Sequence, residues 1–403
     1  MADLSVQFLG KTIPNPFLLA SAPPTAFGEN IMRAFDQGWG GAVLKTLKPD
    51  GMVIEDARPR FAAVKDAGGN VYGFENFELV TKRSLSDWVH EIAEIKKRYP
   101  ENLLVASIMG DSRGTWQEMT RRVQDAGADM VECNFSCPHG MPEKGVGMAI
   151  GQVPEITGEI TSWVRDVCKV PLLIKLTPNV ADPRVTCAAA LDAGADGITA
   201  INTVQCLIGV DLETFKPKPV VEGYSSYGGY SGKAIKPIGL RVVSQVAGTM
   251  QARGMAPAVS GVGGIAAWED AVEYMLVGST TVQVCTEVML KGYGIVGKLA
   301  SGLSNYLDAR GIGSPMDLVG RTLPWITSHE ALSKESAVAA RVDYESCTSC
   351  GACATACSDS GYGAISMNGD GSTPRVHINE QRCDGCGLCA LVCRAGALAV
   401  CSH

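Results

Sequence analysis

The stretch Asp125-Ala-Gly-Ala-Asp-Met-Val-Glu132 recurs, with its first five residues identical, as Asp192-Ala-Gly-Ala-Asp-Gly-Ile-Thr199. In each copy an amphipathic segment stops at a glycine, as helices commonly do, and a short apolar run follows at once. The stretch Gly38-Trp-Gly-Gly-Ala-Val-Leu44 looks like a third, less exact copy. A helix that leads directly into a buried strand is the repeating unit of a parallel α/β sheet.

Eight apolar runs fit this unit, and helical patterns such as 115–125, 183–192 and 267–276 lie between them. Eight such units in about 300 residues predict a TIM (β/α)8 barrel, an α/β fold. A doubly wound open sheet is the alternative, but no nucleotide-binding fingerprint follows the first strand. Gly292-Tyr-Gly-Ile-Val-Gly297 fits that fingerprint only in spacing, and we interpret it as the start of the last barrel helix. The predicted strands are Phe17–Ala20, Ala42–Thr46, Leu103–Ser107, Met130–Phe135, Leu172–Leu176, Ile198–Asn202, Ala256–Ser260 and Thr281–Cys285.

Near the C-terminus, two runs of four cysteines have the identical spacing C-x-x-C-x-x-C-x-x-x-C. This is the ligand pattern of a two-cluster bacterial ferredoxin, in which the fourth cysteine of each run binds the other cluster. Structural zinc usually shows two CxxC pairs with a longer spacer, and disulfides would require export. We therefore predict two 4Fe–4S clusters. Their ligands are Cys347, Cys350, Cys353 and Cys393 for the first cluster, and Cys383, Cys386, Cys389 and Cys357 for the second.

The chain is expected to fold as a barrel of residues 1–310, a helical connection at 311–340 and a ferredoxin-like domain at 341–403. Its net charge is -7, which argues against binding to a nucleic-acid backbone. No apolar run has the length of a membrane span. The N-terminus shows neither a basic start nor an apolar core, so we expect a cytoplasmic protein whose other seven cysteines are reduced.

Polar residues follow the predicted strands at the ends where TIM barrels carry their active sites. Strand 2 ends in Lys45-Thr46, strand 4 ends in Asn134-Phe-Ser-Cys137, strand 5 contains Lys175, and strand 6 ends in Asn202-Thr203. Strands 7 and 8 lead into Gly263-Gly264 and Cys285-Thr286. The loops after these two strands are the usual phosphate position, because glycine lets backbone N–H groups approach an anion. A tight turn that needs glycine only for its dihedral angles is the alternative.

Two lysines, Lys45 and Lys175, fall inside predicted barrel strands, where a cation needs a partner. An electron-rich cofactor such as a reduced flavin would provide one, and a salt bridge to a nearby carboxylate such as Glu132 is the alternative. Cys137 opens a glycine-rich loop after strand 4, and a thiol near its ordinary pKa can deliver a proton at neutral pH. A small buried cysteine is the other interpretation, which suits Cys168 and Cys187 better.

The stretch Asn134-Phe-Ser-Cys-Pro-His-Gly-Met141, with Lys175-Leu-Thr-Pro-Asn179 and Asn202-Thr203, resembles the dihydropyrimidine dehydrogenase family. This family is a branch of the flavin barrels related to dihydroorotate dehydrogenase. The segment Cys357-Ser-Asp-Ser-Gly-Tyr362 is similar to its first cluster run. The resemblance implies an FMN-dependent, reversible reduction of uracil and thymine to 5,6-dihydropyrimidines.

The resemblance also implies roles for individual residues. Cys137 matches the general acid that protonates C5 while the flavin N5 gives hydride to C6. The FMN-binding positions match Ser21, Lys45, Thr46, Lys175, Gly232, Gly263, Gly264, Cys285 and Thr286. The pyrimidine-binding positions match Asn76, Glu78, Asn134, Ser136, Asn202 and Thr203.

A separate electron source is a further implication. Long eukaryotic members carry FAD and NADPH domains, whereas this chain resembles the smaller subunit type, which takes electrons from a FAD/NAD(P)-binding subunit in a hetero-oligomer. Two other functions stay open. One is a dihydroorotate-type oxidoreductase, which needs a cation for the substrate carboxylate. The other is an electron-transfer subunit with a non-catalytic barrel, which gives Cys137 no role.

Overall fold

The computed structural model describes residues 2–135, 148–334, 338–368 and 375–402. The chain forms two compact units, Met1–Ile326 and Thr327–His403, and each is described by itself. Among the described residues, no helix is both long and apolar enough to cross a bilayer.

The first unit alternates strands and helices. Its strands are β1 (Val6–Phe8), β2 (Lys11–Ile13), β3 (Phe17–Leu19), β4 (Gly41–Val43), β5 (Phe61–Lys65), β6 (Val71–Asn76), β7 (Leu103–Ile108), β8 (Met130–Asn134), β9 (Leu172–Lys175), β10 (Gly197–Ala200), β11 (Val204–Cys206), β12 (Gly228–Ser231), β13 (Val259–Val262) and β14 (Ser279–Val284). Its helices are α1 (Gly28–Phe35), α2 (Leu85–Arg98), α3 (Arg113–Asp125), α4 (Met148–Gln152), α5 (Pro154–Arg165), α6 (Pro183–Asp192), α7 (Lys236–Ala252), α8 (Trp268–Leu276), α9 (Thr286–Lys291) and α10 (Ile295–Arg310).

Eight parallel strands, β3, β4, β7, β8, β9, β10, β13 and β14, close into a barrel in chain order. Closure is made by β14, whose residues Val282, Gln283 and Val284 pair with Phe17, Leu18 and Leu19 of β3. The predicted barrel is confirmed, and the open-sheet alternative is wrong. Helices surround the barrel over a continuous apolar core that buries three tryptophans, Trp39, Trp88 and Trp116.

The predicted strands begin within two residues of the observed ones in seven of eight cases. The exception is β13, which was expected to begin at Ala256 and instead begins at Val259. Pro257 has no N–H to donate to a strand ladder, so regular pairing with the neighbours starts after it. The GxGxxG stretch leads into α10, as interpreted from the sequence.

The repeated Asp-Ala-Gly-Ala-Asp segments have a structural reason. Gly127 and Gly194 have φ angles of 102° and 97°, which favour glycine, and end the helices α3 and α6. The second aspartate of each copy bonds twice to the preceding strand. The Asp129 carboxylate accepts the Leu104 N–H at 2.8 Å, and Asp196 accepts the Leu172 N–H at 2.7 Å. Each aspartate also donates its own N–H to the carbonyl of the same residue at 2.9 Å, which fixes the strand register.

Separate β structures lie at the two ends of the barrel. The antiparallel hairpin β1–β2 packs Val6, Phe8 and Ile13 against inward-facing residues near the starts of the strands, including Leu103 and Met130. At the other end, β11, β12, β6 and β5 form a four-stranded sheet, here called the lid sheet. It is built from the segments that follow β4 and β10.

The second unit contains β15 (Val338–Val342), α11 (Ala352–Asp359), β16 (Ile365–Asn368), β17 (Arg375–Ile378), α12 (Leu388–Val392) and β18 (Leu398–Ser402). The pairs β15–β18 and β16–β17 are antiparallel. Both cysteine runs adopt the same turn before their helix. The residues before the second cysteine, Ser349 and Gly385, and those after it, Gly351 and Gly387, all have positive φ angles.

Candidate active site

A cavity of about 1100 Å³, part of it open to solvent, lies at the C-terminal ends of the barrel strands, where side chains of the lid sheet also line it. It is lined by all nine residues predicted to bind FMN and by five of the six predicted to bind a pyrimidine. The sixth, Ser136, and the predicted acid Cys137 lie outside the described residues. The lining residues are Ser21, Lys45, Thr46, Lys175, Gly232, Gly263, Gly264, Cys285 and Thr286 of the first set, and Asn76, Glu78, Asn134, Asn202 and Thr203 of the second.

A chain of hydrogen bonds orients the two central amides. The Ser21 and Thr46 hydroxyls lie 3.1 Å apart, and Asn134 Nδ2 donates to Thr46 Oγ1 at 2.9 Å. Asn202 Nδ2 donates to Asn134 Oδ1 at 3.4 Å, and Asn202 Oδ1 accepts the Thr203 N–H at 2.8 Å. The strand ends that carry these residues therefore present amides of defined orientation to a ligand.

Glu78 accepts bonds from two cations. Lys45 Nζ lies 2.5 Å from Oε2, and Arg60 Nε donates to Oε1. The side chains of Lys45 and Glu78 are only 10% and 13% exposed. The carboxylate that pairs with Lys45 is thus Glu78 rather than Glu132. Arg60 was missed by the sequence analysis, because its loop shows no periodicity that would direct it to the cavity.

Lys175 is 4% exposed and forms no salt bridge within the described part of the chain. It lines the cavity beside Cys285, whose thiol is also influenced by Lys45. Burial raises the pKa of Cys285 to about 11 even though both lysines act in the opposite direction. Cys285 is therefore a neutral thiol in the cavity wall, whereas Lys175 offers its positive charge to a ligand.

Glycines line another part of the cavity. Gly232, Gly263 and Gly264 have φ angles of 86°, 129° and 74°, and a Cβ on Gly264 would lie 2.8 Å from the backbone nitrogen of Lys236. The Ser231 and Thr286 hydroxyls lie 2.9 Å apart in the same wall. Glycine loops with hydroxyls suit a phosphate, and buried lysines suit an electron-rich ring, so the residues present fit FMN.

Several lining residues had no clear signal in the sequence. Phe61 and Phe74 of the lid sheet lie with ring centroids 5.4 Å apart, and Ser231, Lys233 and Gln283 also line the cavity. The alternation along β6 places Phe74 on the same face as Asn76. This two-residue alternation is the sequence signal that could have identified Phe74, but β6 is too short and too polar for the alternation to stand out.

In the second unit, a small cavity is lined by Cys383, Cys386 and Cys389 of the second run together with Cys357 of the first. Backbone N–H groups of Ala364 and Ala340 donate to the Sγ atoms of Cys357 and Cys383 at 3.3 and 3.4 Å. Such bonds stabilise thiolates that bind iron. Within the described part of the chain, no group of three or more His, Cys, Asp or Glu side chains is placed to hold a metal ion.

Two family models match the chain. The model described as dihydroorotate dehydrogenase matches residues 3–307, and the 4Fe-4S dicluster domain matches residues 340–400. Together they confirm the predicted cofactors, FMN for the barrel and 4Fe–4S clusters for the second unit.

Similar proteins agree with these matches. The chain is 40% identical to the NAD-dependent dihydropyrimidine dehydrogenase subunit PreA of Escherichia coli K12, over 92% of this chain and 89% of that protein. It is 39% identical to the chloroplastic dihydropyrimidine dehydrogenase (NADP(+)) of Arabidopsis thaliana, over 82% and 80%. It is 36% identical to the catalytic subunit of dihydroorotate dehydrogenase B (NAD(+)) of Pyrococcus abyssi, over 79% and 99%. The chain is therefore an oxidoreductase that belongs to the dihydroorotate dehydrogenase family, in its iron–sulfur-containing dihydropyrimidine dehydrogenase branch.

Proposed function

We propose that this protein reversibly reduces the 5,6 double bond of uracil and thymine as the catalytic subunit of a larger oxidoreductase. The observation that carries the proposal is the single cavity that combines oriented amides with two buried lysines. The E. coli and A. thaliana relatives, which are named dihydropyrimidine dehydrogenases, support it.

The amide-rich wall suits a pyrimidine base. A uracil ring carries no charge and offers N–H donors and carbonyl acceptors along its edge, and Asn and Thr side chains offer the complementary groups. Asn76, Asn134, Asn202 and Thr203 bind this edge together with Glu78. Ser136 is the sixth residue that we propose to bind the pyrimidine.

The FMN-binding residues hold the cofactor against this pyrimidine. Gly263, Gly264 and Thr286 would hold its phosphate, and Lys45 and Lys175 would supply positive charge to its ring. FMN, when bound, supplies the hydride that reduces C6. The residues orient the two rings and exclude water, which confines the reaction to bound pyrimidine.

Cys137 supplies the proton that C5 requires. Its thiol donates to one face of the pyrimidine, and in the oxidation direction the thiolate takes the proton back. The other residues proposed to bind the pyrimidine are poorer proton donors. The Asn, Ser and Thr side chains are weak acids at neutral pH, and the Glu78 carboxylate is held in ion pairs with Lys45 and Arg60.

Electrons enter from a FAD/NAD(P)-binding partner and pass through the two clusters to FMN. The E. coli relative is named as a subunit of dihydropyrimidine dehydrogenase and the P. abyssi relative as the catalytic subunit of dihydroorotate dehydrogenase B, which supports a hetero-oligomer. The idea predicts that the purified chain alone does not oxidise NADH or NADPH with uracil. Full activity of the isolated chain with either nucleotide would contradict it.

The proposal is tested by an anaerobic assay that uses a reduced dye in place of the partner. Uracil and thymine are compared with orotate as electron acceptors, and the product is identified chromatographically. We expect dihydrouracil and dihydrothymine to form. Turnover of orotate without turnover of uracil or thymine would instead support a dihydroorotate-type enzyme, the second candidate, which the P. abyssi relative favours.

A further inference from the structure

The ion-pair cluster of Lys45, Glu78 and Arg60 does more than hold the cavity wall together. Glu78 lines the cavity and carries one cation on each carboxylate oxygen: Lys45 Nζ on Oε2 and Arg60 Nε on Oε1. Lys45 thus lies in the wall of the proposed pyrimidine site and Arg60 lies behind Glu78, whose single negative charge forms ion pairs with both.

Arg60 is held in place by more than its ion pair. Its carbonyl oxygen accepts the Phe77 N–H at 2.9 Å, which joins the Arg60 loop to the backbone beside Glu78. Its guanidinium lies over the Phe61 ring with 5.3 Å between Cζ and the centroid, and Phe61 packs on Phe74. A mobile surface arginine has none of these constraints, so we regard Arg60 as a built part of the site.

The substrates of the two enzyme types in this family differ by one charge. Orotate is uracil with a carboxylate at C6. Lys45 and Arg60 would attract that carboxylate if they were unpaired. Glu78 forms ion pairs with both, and its own negative charge repels a second anion in the same part of the cavity.

We propose that Glu78 is a specificity filter that holds Lys45 and Arg60 in ion pairs and repels a second anion, so that the site admits neutral pyrimidines and excludes those with a C6 carboxylate. This inference rests on the proposed function. Arg60 contacts the site only through Glu78, so in this proposal it is a positioning residue.

The first test uses the unaltered protein with FMN bound. Uracil, orotate and the amide of orotic acid are titrated, and binding is followed by the change in flavin absorption. The amide has nearly the size of the carboxylate but no charge, so we expect it to bind at least 10-fold more tightly than orotate. Equal rejection of the amide and orotate would mean that exclusion is steric and would overturn the filter.

The second test uses variants. Glu78→Gln keeps the size of the side chain and removes its charge, and we expect orotate affinity to rise at least 10-fold while uracil affinity falls. Adding Arg60→Gln should reverse most of the gain for orotate. Glu94→Gln, the same change on an exposed face of α2, is the matched control and should alter neither affinity.

Flavin content and absorption spectrum show whether each variant is folded. An unchanged orotate affinity in folded Glu78→Gln overturns the filter while the proposed function stands. Failure of the unaltered protein to bind or reduce uracil and thymine overturns the proposed function instead. If Glu78→Gln loses FMN, the comparison of orotate with its amide still decides the question.

Discussion

Four cysteines of the barrel illustrate how burial determines thiol chemistry. Cys133, Cys168 and Cys187 pack in the core, and Cys285 lies in the cavity wall. Burial raises the pKa of each, to about 12 for Cys187 and about 11 for Cys285. The raised pKa values keep these thiols protonated at neutral pH and make them poorer proton donors than an ordinary thiol, so we look for a thiol acid elsewhere in the chain.

Replacing Cys137 with alanine should therefore slow pyrimidine reduction by about 10²- to 10⁴-fold, the usual contribution of a general acid. The measurement is the anaerobic reoxidation of dye-reduced flavin by uracil. FMN and iron content should not change, because the expected role of Cys137 is proton transfer alone.

Cys401→Ser removes a partly exposed thiol of the second unit, outside the proposed site, and is the control. Unchanged reoxidation in the Cys137 variant would favour an electron-transfer subunit whose barrel has no catalytic role.

At the scale of single elements, the turn after β13 depends on a close backbone approach. Gly264 has a φ angle of 74°, and a Cβ there would lie 2.8 Å from the Cβ and backbone nitrogen of Lys236, at the start of α7. Gly254, in the turn before β13, has nearly the same φ angle, 72°, but a Cβ there would meet nothing within 4 Å.

Gly264→Ala should weaken FMN binding at least 10-fold, whereas Gly254→Ala should not. Both changes force alanine into the left-handed region and should cost about 1–2 kcal/mol of unfolding free energy. Only the change at Gly264 also displaces the loop that is expected to bind phosphate. Equilibrium dialysis of FMN and chemical denaturation measure the two effects, and equal FMN affinities in the two variants would exclude a special role for this turn.

The lid sheet contains a fully buried carboxylate, Glu75 of β6. Its Oε1 accepts bonds from Cys206 Sγ at 3.3 Å and from the Gly228 N–H at 3.1 Å, and no described residue bonds to Oε2. Burial raises the pKa of Glu75 above its ordinary value of 4.5, although hydrogen bonds from Cys206, Gly228 and Ile208 favour the anion.

Because the folded-state pKa of Glu75 is raised, the stability of the folded chain should fall as the pH rises. Below about pH 4.5 both the folded and the unfolded chain hold the proton, and the full stability is present. As the pH rises, the unfolded chain ionises first, so the stability falls until the pH passes the raised folded-state pKa. Glu75→Gln should flatten this fall, as measured by thermal release of FMN at a series of pH values. Parallel curves for the two proteins would contradict the shift.

At the scale of the whole molecule, the two units differ in what stabilises them. The barrel has an extensive apolar core. In the described part of the second unit, the cluster of buried apolar side chains is small and comprises Ala340, Ile365, Val376, Leu398 and two of the proposed cluster ligands, Cys353 and Cys389. A core this small generally needs bound metal to stay folded.

Anaerobic removal of iron by a chelator should therefore unfold the second unit and leave FMN in the barrel. Limited proteolysis should then degrade residues beyond about position 326 while flavin absorption persists. Simultaneous loss of iron and FMN would mean that the barrel depends on the clusters for its stability.

Much of the fold follows from short-range sequence patterns. The strands of Val, Ile and Leu, the glycines that end helices and the repeated Asp-Ala-Gly-Ala-Asp segments act between neighbours in the chain, so their pattern is visible in the sequence. The cysteine spacing likewise defines a cluster loop locally. Lys45, Lys175, Asn134 and Asn202 could be expected at one site, because all parallel strands end at the same edge.

Only the tertiary structure determined the contacts between segments that are distant in the sequence. Closure of the barrel depends on β14 meeting β3, and the lid sheet brings β5 and β6 beside β12 from the other half of the barrel. The pairing of Lys45 and Arg60 with Glu78 depends on a loop without periodicity. Such contacts join residues that are far apart in sequence, and their energy comes from packing and charge in three dimensions, which no local pattern records.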